Sequence, residues 1–492
     1  MKNFILLIVI AIFSGCTLQT TPSDIFTQDN FWKTEEQYNA GLIACYSTLR
    51  SNYLYGDVVA LFPEVLTPNA YLRMNNYGFM VIAEGTHTSV NSVIIQYRWK
   101  ACYEGIGRCN TYLQHADNAP IAEEMKERMK AEAKFLRALY YSILTQHYGD
   151  APLITDAPNV SEQANLPRSP KKEIIEQIAK DLQEAAPALN LTYSTTNVGR
   201  ATRGAAYALL GRVYLYNNEW QKAADNFKKV IDLKQYSLFN HYRKLFAIEN
   251  ENNSEVIFDV QFKNPEQRSS IDLVLRAYDT CAPLLDLLQC YEKKDGTAFV
   301  PGVDPLYKNR DPRMDFTIVH PGSQYMGATV TDTQFSSTGC TFKKFSRYDT
   351  EYAPVYDYND INYIVIRYAD VLLGYAEALN ELNKGNEALP YLNSVRERPS
   401  VNMPSIPTGK TQSELRKIIR HERRVELAGE GLYYNDIIRW KIAEKLMNGP
   451  IYKVDGTKIM NRFFDASKHY LWPVPNEQVT INKNLLPNNP NW

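Results

Sequence analysis

Apolar residues between Tyr207 and Val230 recur at helical spacing on both sides of a polar break. Tyr207, Leu210, Gly211 and Tyr214 fall at i, i+3, i+4 and i+7, which predicts one face of a first helix. Asn217-Asn218 interrupts the pattern, and Ala223, Phe227 and Val230 resume it as the inner face of a second helix. Small residues at Gly211 and Ala223 let two antiparallel helices approach closely, while Tyr214 and Phe227 fill the seam. The pattern returns far downstream. Leu372, Tyr375, Ala376 and Leu379 precede a break at Lys384-Gly385, and Ala388, Leu392 and Val395 follow it. Ala376 and Ala388 stand as far apart as Gly211 and Ala223.

Further helices are marked by their starts and stripes. The capping box Thr34-Glu35-Glu36-Gln37 opens one that runs to about Arg50. Ile95, Trp99, Cys102, Ile106, Cys109 and Leu113 form the stripe of another over residues 89–115. Met129, Ala133, Leu136, Tyr140 and Leu144 predict a long helix from Glu123 to Tyr148, ended by Gly149-Asp150. Ser169 as N-cap and Pro170 at the first helical position start the next, through Ile174, Ile178, Leu182 and Ala185. A second capping box, Thr411 to Glu414, opens a helix bearing Leu415, Ile418, Ile419 and Glu422.

Two stretches keep no helical period. Residues 53–88 carry Pro63, Pro68, Gly78 and Gly85. Residues 236–362 mix Gly, Pro and aromatics with short strand-like runs, Val256 to Val260 and Phe316 to Val319. Irregular segments this long are uncommon in a compact protein and often functional. Beyond Trp440 the chain again reads as irregular. The hairpin spacing resembles the tetratricopeptide pattern W-x2-L-G-x2-Y…A-x3-F, with Tyr207 in the Trp place. A single hairpin of this type cannot bury its own apolar face, so neighbours are required. The expected fold is mostly α: a tetratricopeptide-like helical-hairpin scaffold with long irregular insertions and a few short strands.

Composition changes this picture in two places. With 492 residues, 45% apolar and 22% charged, the chain is ordinary globular material, but its net charge of -1 offers no basic footprint for nucleic acid. Its 34 tyrosines suit both buried seams and wet recognition surfaces. At the N-terminus, Lys2 and the apolar run Phe4 to Phe13 have the shape of a secretory signal, too short to span a bilayer. The ending Phe13-Ser14-Gly15-Cys16 resembles a lipobox, in which Cys16 is acylated; the alternative is an ordinary cleavage nearby with Cys16 incidental. Cys102 and Cys109 are seven apart on a helix, about 10 Å of rise, too far to bridge. Mostly buried free thiols are expected, with a Cys281–Cys290 closure as the alternative.

Candidate chemistry is sparse. No G-x-S-x-G nucleophile elbow occurs. Gly409-Lys410-Thr411 lacks the earlier glycine of a phosphate loop, Pro404 standing there, and Gly105-Ile106-Gly107 lacks its third glycine. No histidines pair at i, i+4, and the acidic run Asp357 to Asp360 lacks the glycine and terminal acid of a calcium loop. No catalytic residue, metal or cofactor is expected. Glu422 and Glu426 share a helix face with Arg423 beside them, and paired charges of this kind are read as a buried structural network, as are Arg137, Arg367 and Glu377.

Taken in order, several segments resemble the SusD/RagB family of outer-membrane lipoproteins of Bacteroidetes. These are Asp29 to Tyr38, the Trp99…Tyr103…Ile106…Asn110…Leu113 stripe, Ala131 to Ile154, Gly199 to Tyr216, Ile366 to Leu382, His421 to Trp440, and the closing Trp472-Pro473-Val474-Pro475 and Asn488-Asn489-Pro490. Tyr433 stands where the family often has an Arg, which weakens an inferred bridge to Asp436. The resemblance implies a helical scaffold whose irregular segments bind nutrient on one face, without covalent chemistry. It also implies a SusC-like TonB-dependent transporter as partner, anchorage in outer-membrane lipid through the N-terminal acyl group, and an outward-facing position. On this reading residues 1–15 are signal, 16–33 a lipidated tether, 34–235 an N-terminal helical region, and 236–492 a C-terminal region with the ligand-binding insert 236–362.

Sugar rings present apolar faces to aromatic side chains and hydroxyls to Asn, Asp and Arg. Tyr71, Arg73, Asn75, Asn76 and Tyr77 supply that mixture on one loop. Tyr278, Tyr307 and Tyr325, with Arg310, Phe335, Phe342 and Tyr348, are the candidates for an opposing wall. The competing reading is that these aromatics pin long loops to the scaffold. The expected function is capture of oligo- or polysaccharide for import. A peptide ligand within the same architecture, a glycoside hydrolase, and a scaffold that binds only protein are the alternatives.

Overall fold

The computed structural model describes residues 31–349, 351–352 and 358–492. The signal, most of the tether and Cys16 lie outside the described residues. Among the helices of twelve residues or more, α1 is Glu35–Ser47, α2 Val93–Ala116, α3 Glu123–Tyr148, α4 Lys171–Ala188, α5 Arg203–Tyr216, α6 Trp220–Asp232, α7 Tyr368–Glu381, α8 Gly385–Arg396 and α9 Gln412–Glu426. Both predicted capping boxes form: Thr34 with Gln37 opens α1 and Thr411 with Glu414 opens α9. Ser169 does not cap α4. Pro170 holds the cap position, and the Asp150 carboxylate accepts from the Lys171 amide at 2.8 Å, so the cap reaches across from the end of α3.

Helices α2 to α8 pack each on the next, so the scaffold is continuous. The downstream hairpin α7/α8 docks directly on α6, although residues 236–362 intervene in sequence. Phe227 on α6 is the wedge between them. It is buried, and a Cβ added at Gly211 on α5 would meet its ring at 2.7 Å, one added at Gly374 on α7 at 2.8 Å. The two glycines leave the slot that the aromatic ring fills.

The insert leaves and returns at one place. Strand β1 is Ala70–Tyr71, β2 Val256–Val260, β3 Ala282–Pro283, β4 Tyr363–Arg367, β5 Gly449–Tyr452 and β6 Lys458–Arg462. β2, about twenty residues into the insert, pairs antiparallel with β4, which directly follows it. Of the run Phe316 to Val319, only Ile318–Val319 is strand; Pro312–Thr317 is a short helix.

Buried ion pairs fasten the insert to the frame. Glu426 on α9 receives Arg313 at 3.0 Å, Arg367 at 2.8 Å and Arg398 at 2.8 Å, and these guanidiniums hold its carboxyl far below the usual range despite burial. Lys344 of the insert reaches Glu430 at 2.8 Å, and Arg313 also pairs with Asp311 and Glu422. Removing one partner from such a cluster strands a charge in a low-dielectric interior, at about 3–5 kcal/mol. Arg137 pairs with Asp181, and Glu377 with Arg439. Asp436 does have bridges, from Arg423 at 3.0 Å and Arg439 at 2.8 Å, while Tyr433 offers its ring to Arg424. The six cysteines of the described residues are free thiols, so Cys281 and Cys290 are not joined.

Candidate functional site

The loop of residues 71–78 meets the insert at Ser336. Tyr71 is held by pairing of β1 with β3, where it sits opposite Ala282. Arg462, at the end of β6, donates to the Thr67 and Ala70 carbonyls at 2.6 and 2.7 Å, which pins β6 beside β1. Arg73 reaches Ser336 Oγ at 3.5 Å. Asp279, in a left-handed conformation at the end of the helix Ile271–Tyr278, accepts from the Ser337 amide at 2.6 Å. Lys453, in the turn between β5 and β6, donates to the Ser336 carbonyl at 3.0 Å, and the Val454 amide donates to the Thr338 carbonyl at 3.0 Å. Three segments distant in sequence therefore converge on one short loop.

The surface around that loop carries rings and cations. Tyr278 is 48% exposed and Tyr452 39% exposed, and Tyr71 is half-buried. Arg73 is exposed and Lys453 partly so. Burial raises the Tyr71 hydroxyl, with Glu84 adding to the effect, and burial raises the Asp279 carboxyl. The arrangement offers flat apolar faces between fixed donors, and no cluster of His, Cys, Asp or Glu that could hold a metal occurs among the described residues.

The other predicted residues divide. Tyr307 is half-buried and stacked on His320 at 4.2 Å. Tyr77 and Asn75 lie elsewhere on the loop. The Tyr77 ring sits edge-on to Tyr53 at 6.0 Å and near Phe62, and Tyr53 in turn stacks on the exposed Tyr97. Tyr77 has φ 54 and precedes Gly78 at φ 81, a non-glycine residue held left-handed, which costs of order 1–3 kcal/mol. Exposed Asn75 accepts from the Val81 amide through Oδ1, and Asn76 is partly buried. Tyr325 is corrected. It is 1% exposed, packs with Val319, Val330 and Phe335, and its hydroxyl hydrogen-bonds Ser346 at 2.8 Å, so its ring has no face to offer a ligand. Arg310, Phe335, Phe342 and Tyr348 are likewise buried, Arg310 donating to the Leu288 and Tyr291 carbonyls.

Sequence reasoning missed the β5–β6 hairpin, which reading the chain beyond Trp440 as irregular passed over. Its signal is the Asp455-Gly456 turn between short alternating runs, a strong local hairpin cue. A separate cavity of about 330 Å³ lies between α3, α4, α5 and the helix Tyr433–Arg439, and none of the predicted site residues lines it.

Comparison with known proteins gives these shapes a context. A family model described as the SusD family matches residues 248–492, and one described as starch-binding and associating with the outer membrane matches residues 61–215. SusD-like protein P25 of Formosa agariphila is 27% identical over 509 residues, covering 95% of this chain and 94% of that protein. The crystal structure of a SusD-like carbohydrate binding protein from Bacteroides fragilis superposes with TM-score 0.84 at 30% identity, covering 92% of this chain and 99% of the other. A laminarin binding SusD-like protein superposes with TM-score 0.74 at 26% identity, covering 94% and 100%.

Proposed function

Because the chain belongs to the SusD family, we propose that it is a surface lipoprotein that captures oligo- or polysaccharide and delivers it to a SusC-like TonB-dependent transporter. The acyl anchor is Cys16 and the protein faces outward. No helix among the described residues is long and apolar enough to cross a membrane, and the anchor supplies attachment instead. Sugar is bound at the junction around Ser336, with Tyr71, Tyr278 and Tyr452 as stacking faces and Arg73 and Lys453 as hydroxyl partners. The observation that carries this reading is the convergence of three distant segments, each bringing an exposed or half-buried ring or cation, on a single loop. The names of relatives that bind laminarin or starch support the same ligand class. Binding proceeds without turnover, since the carboxylates most suggestive of catalysis, Glu422 and Glu426, are fully engaged by arginines. Weak single-site affinity is sufficient, because tethering beside a transporter raises the effective ligand concentration.

Affinity electrophoresis of the full chain on a glycan panel tests this. One glycan should retard migration and remain intact. Tyr71→Ala, Tyr278→Ala and Tyr452→Ala should each weaken retention by about five- to tenfold, the worth of one stacked ring, while Tyr325→Phe leaves it unchanged. Released reducing ends would overturn the reading in favour of hydrolysis. Loss of binding in Tyr77→Ala and Asn75→Ala, with the three junction variants unaffected, would move the site to the Tyr53–Tyr97 side.

A further inference from the structure

The cavity between α3, α4, α5 and the helix Tyr433–Arg439 holds an arginine that the glycan surface does not use. Arg98 on α2 is 4% exposed and lines the cavity. Its Nε donates to the Tyr53 carbonyl at 3.0 Å, and Nη1 lies 3.2 Å from His147 Nε2. His147 Nδ1 lies 2.8 Å from the Ile143 carbonyl, which can only accept. The histidine is therefore the neutral tautomer with Nε2 as acceptor, and burial with Arg98 beside it pushes its pKa down to about 3. Neither partner carries a negative charge. No carboxylate lies within ion-pair distance of Arg98 among the described residues and its Nη2 makes no hydrogen bond there, the Trp472 ring, 5.6 Å from the guanidinium carbon, being its other neighbour. Burying a guanidinium without an acid is costly, and natural interiors rarely tolerate it.

The other charges around the cavity do not compensate it. Arg212 is committed to Asp370 at 2.7 Å, Arg439 to Glu377 at 2.6 Å, and Glu430 to Arg367 and Lys344. Lys171 has no ion pair among the described residues, and Lys441 lies over the Tyr470 ring at 4.1 Å. What remains is cationic at both ends: Arg98 inside, Lys171 and the exposed Lys441 toward solvent. Between them the walls are Leu139, Ile143, Leu209, Val213 and Ile438. Tyr55 also lines the cavity, its hydroxyl has no hydrogen bond among the described residues, and it lies within the field of Arg212 and Arg98. A largely apolar cavity with a few polar groups is the ordinary form of a small-molecule site.

We propose that this cavity binds a small amphiphilic carboxylate, its anionic head on Arg98 Nη2 and the Tyr55 hydroxyl and its hydrocarbon body between α3 and α5. The site is independent of the glycan surface, shares no residue with it, and admits its ligand past Lys171 and Lys441. Neutral sugars are poor occupants, because their hydroxyls leave the guanidinium uncompensated.

The test uses the full chain in lipid nanodiscs, with empty nanodiscs subtracted, titrated with carboxyl-labelled hexanoate and followed by the label's resonance. Wild type should show a saturable shift, and hexanol should compete at least about tenfold more weakly, since it lacks the charge-assisted hydrogen bond. Arg98→Met should abolish the shift. Val213→Phe, which fills the apolar section and keeps every charge, should abolish it too, so the test survives if the Arg98 variant does not fold. Lys171→Gln, on the partly exposed rim, should weaken binding by a few fold and reduce its salt dependence. The absence of a saturable shift in wild type, an unchanged shift in Val213→Phe, or hexanol competing as well as hexanoate would each overturn the proposal.

Discussion

Replacing Gly211 by Ala should destabilise this protein, although the same change in an exposed helix stabilises it. In a helix interior, Ala gains about 1 kcal/mol over Gly from backbone entropy. Here the added Cβ would sit 2.7 Å from two atoms of the Phe227 ring. A flexible neighbour would yield at little cost. Phe227 is a rigid ring whose other edge lies 2.8 Å from the Cβ position of Gly374, with Leu215 also against that glycine, so retreat from α5 drives it toward α7. Overpacking of this kind costs about 1–3 kcal/mol, and the boxed ring argues for the upper half. The net loss is then about 1–2 kcal/mol. For a chain of 492 residues the unfolding entropy is large, so Tm moves by only about 1 °C per kcal/mol. Replicate calorimetry on a double-mutant cycle is the right assay. Gly211→Ala should lower Tm in the wild-type background and leave it unchanged or raise it in the Phe227→Leu background, where the slot has slack. A rise in Tm for Gly211→Ala alone would refute the wedge.

Two further outcomes follow from titrating groups. Burial pushes Glu251 up to about 7 and Asp259 up to about 6, and both are joined to Asn362, the first through its amide and the second through its side chain. Their unfolded values are about 4.3 and 3.9, so the folded state holds extra protons in between and stability falls as pH rises from about 4 to 7. Glu251→Gln should flatten the upper part of that fall, and a Tm profile unchanged by the substitution would exclude this origin. Cys290 lies 3.7 Å from His421 Nδ1, and Arg424 with His421 lowers its thiol pKa against the effect of burial. Of the six cysteines of the described residues it is the only one not buried. Iodoacetamide should therefore label Cys290 first, more slowly in His421→Leu; equal labelling of Cys45 or Cys340 would contradict this.

The frame was legible in the sequence because its signals are local. Gly211, Ala223 and Phe227 announce a hairpin within two dozen residues, and both capping boxes are four-residue statements. What lay hidden depends on partners far along the chain. Asp150 caps α4 across an intervening loop, and Arg313 meets Glu426 only after the insert folds back. Tyr325 and Tyr278 look alike as letters, yet one fills a small core and the other stands in solvent. Aromatic character alone does not separate a ring that pins a loop from one that meets a ligand. The hairpin bearing Tyr452 had a readable turn in Asp455-Gly456, but its strands, of four and five residues, are too short to carry a strong alternating pattern.

The zipped strands β2 and β4 make the excursion between them topologically cheap. Its two ends are already neighbours, so lengthening, shortening or exchanging the intervening hundred or so residues changes the closure entropy only logarithmically. The helices on either side, α6 and α7, pack directly on each other. A gene that swapped this cassette for another would keep its helical scaffold while replacing Tyr278 and the Ser336 loop. The anchoring residues Arg313 and Lys344 are the constraint on such a graft, because a cassette lacking them leaves Glu426 and Glu430 with less positive charge than their burial requires.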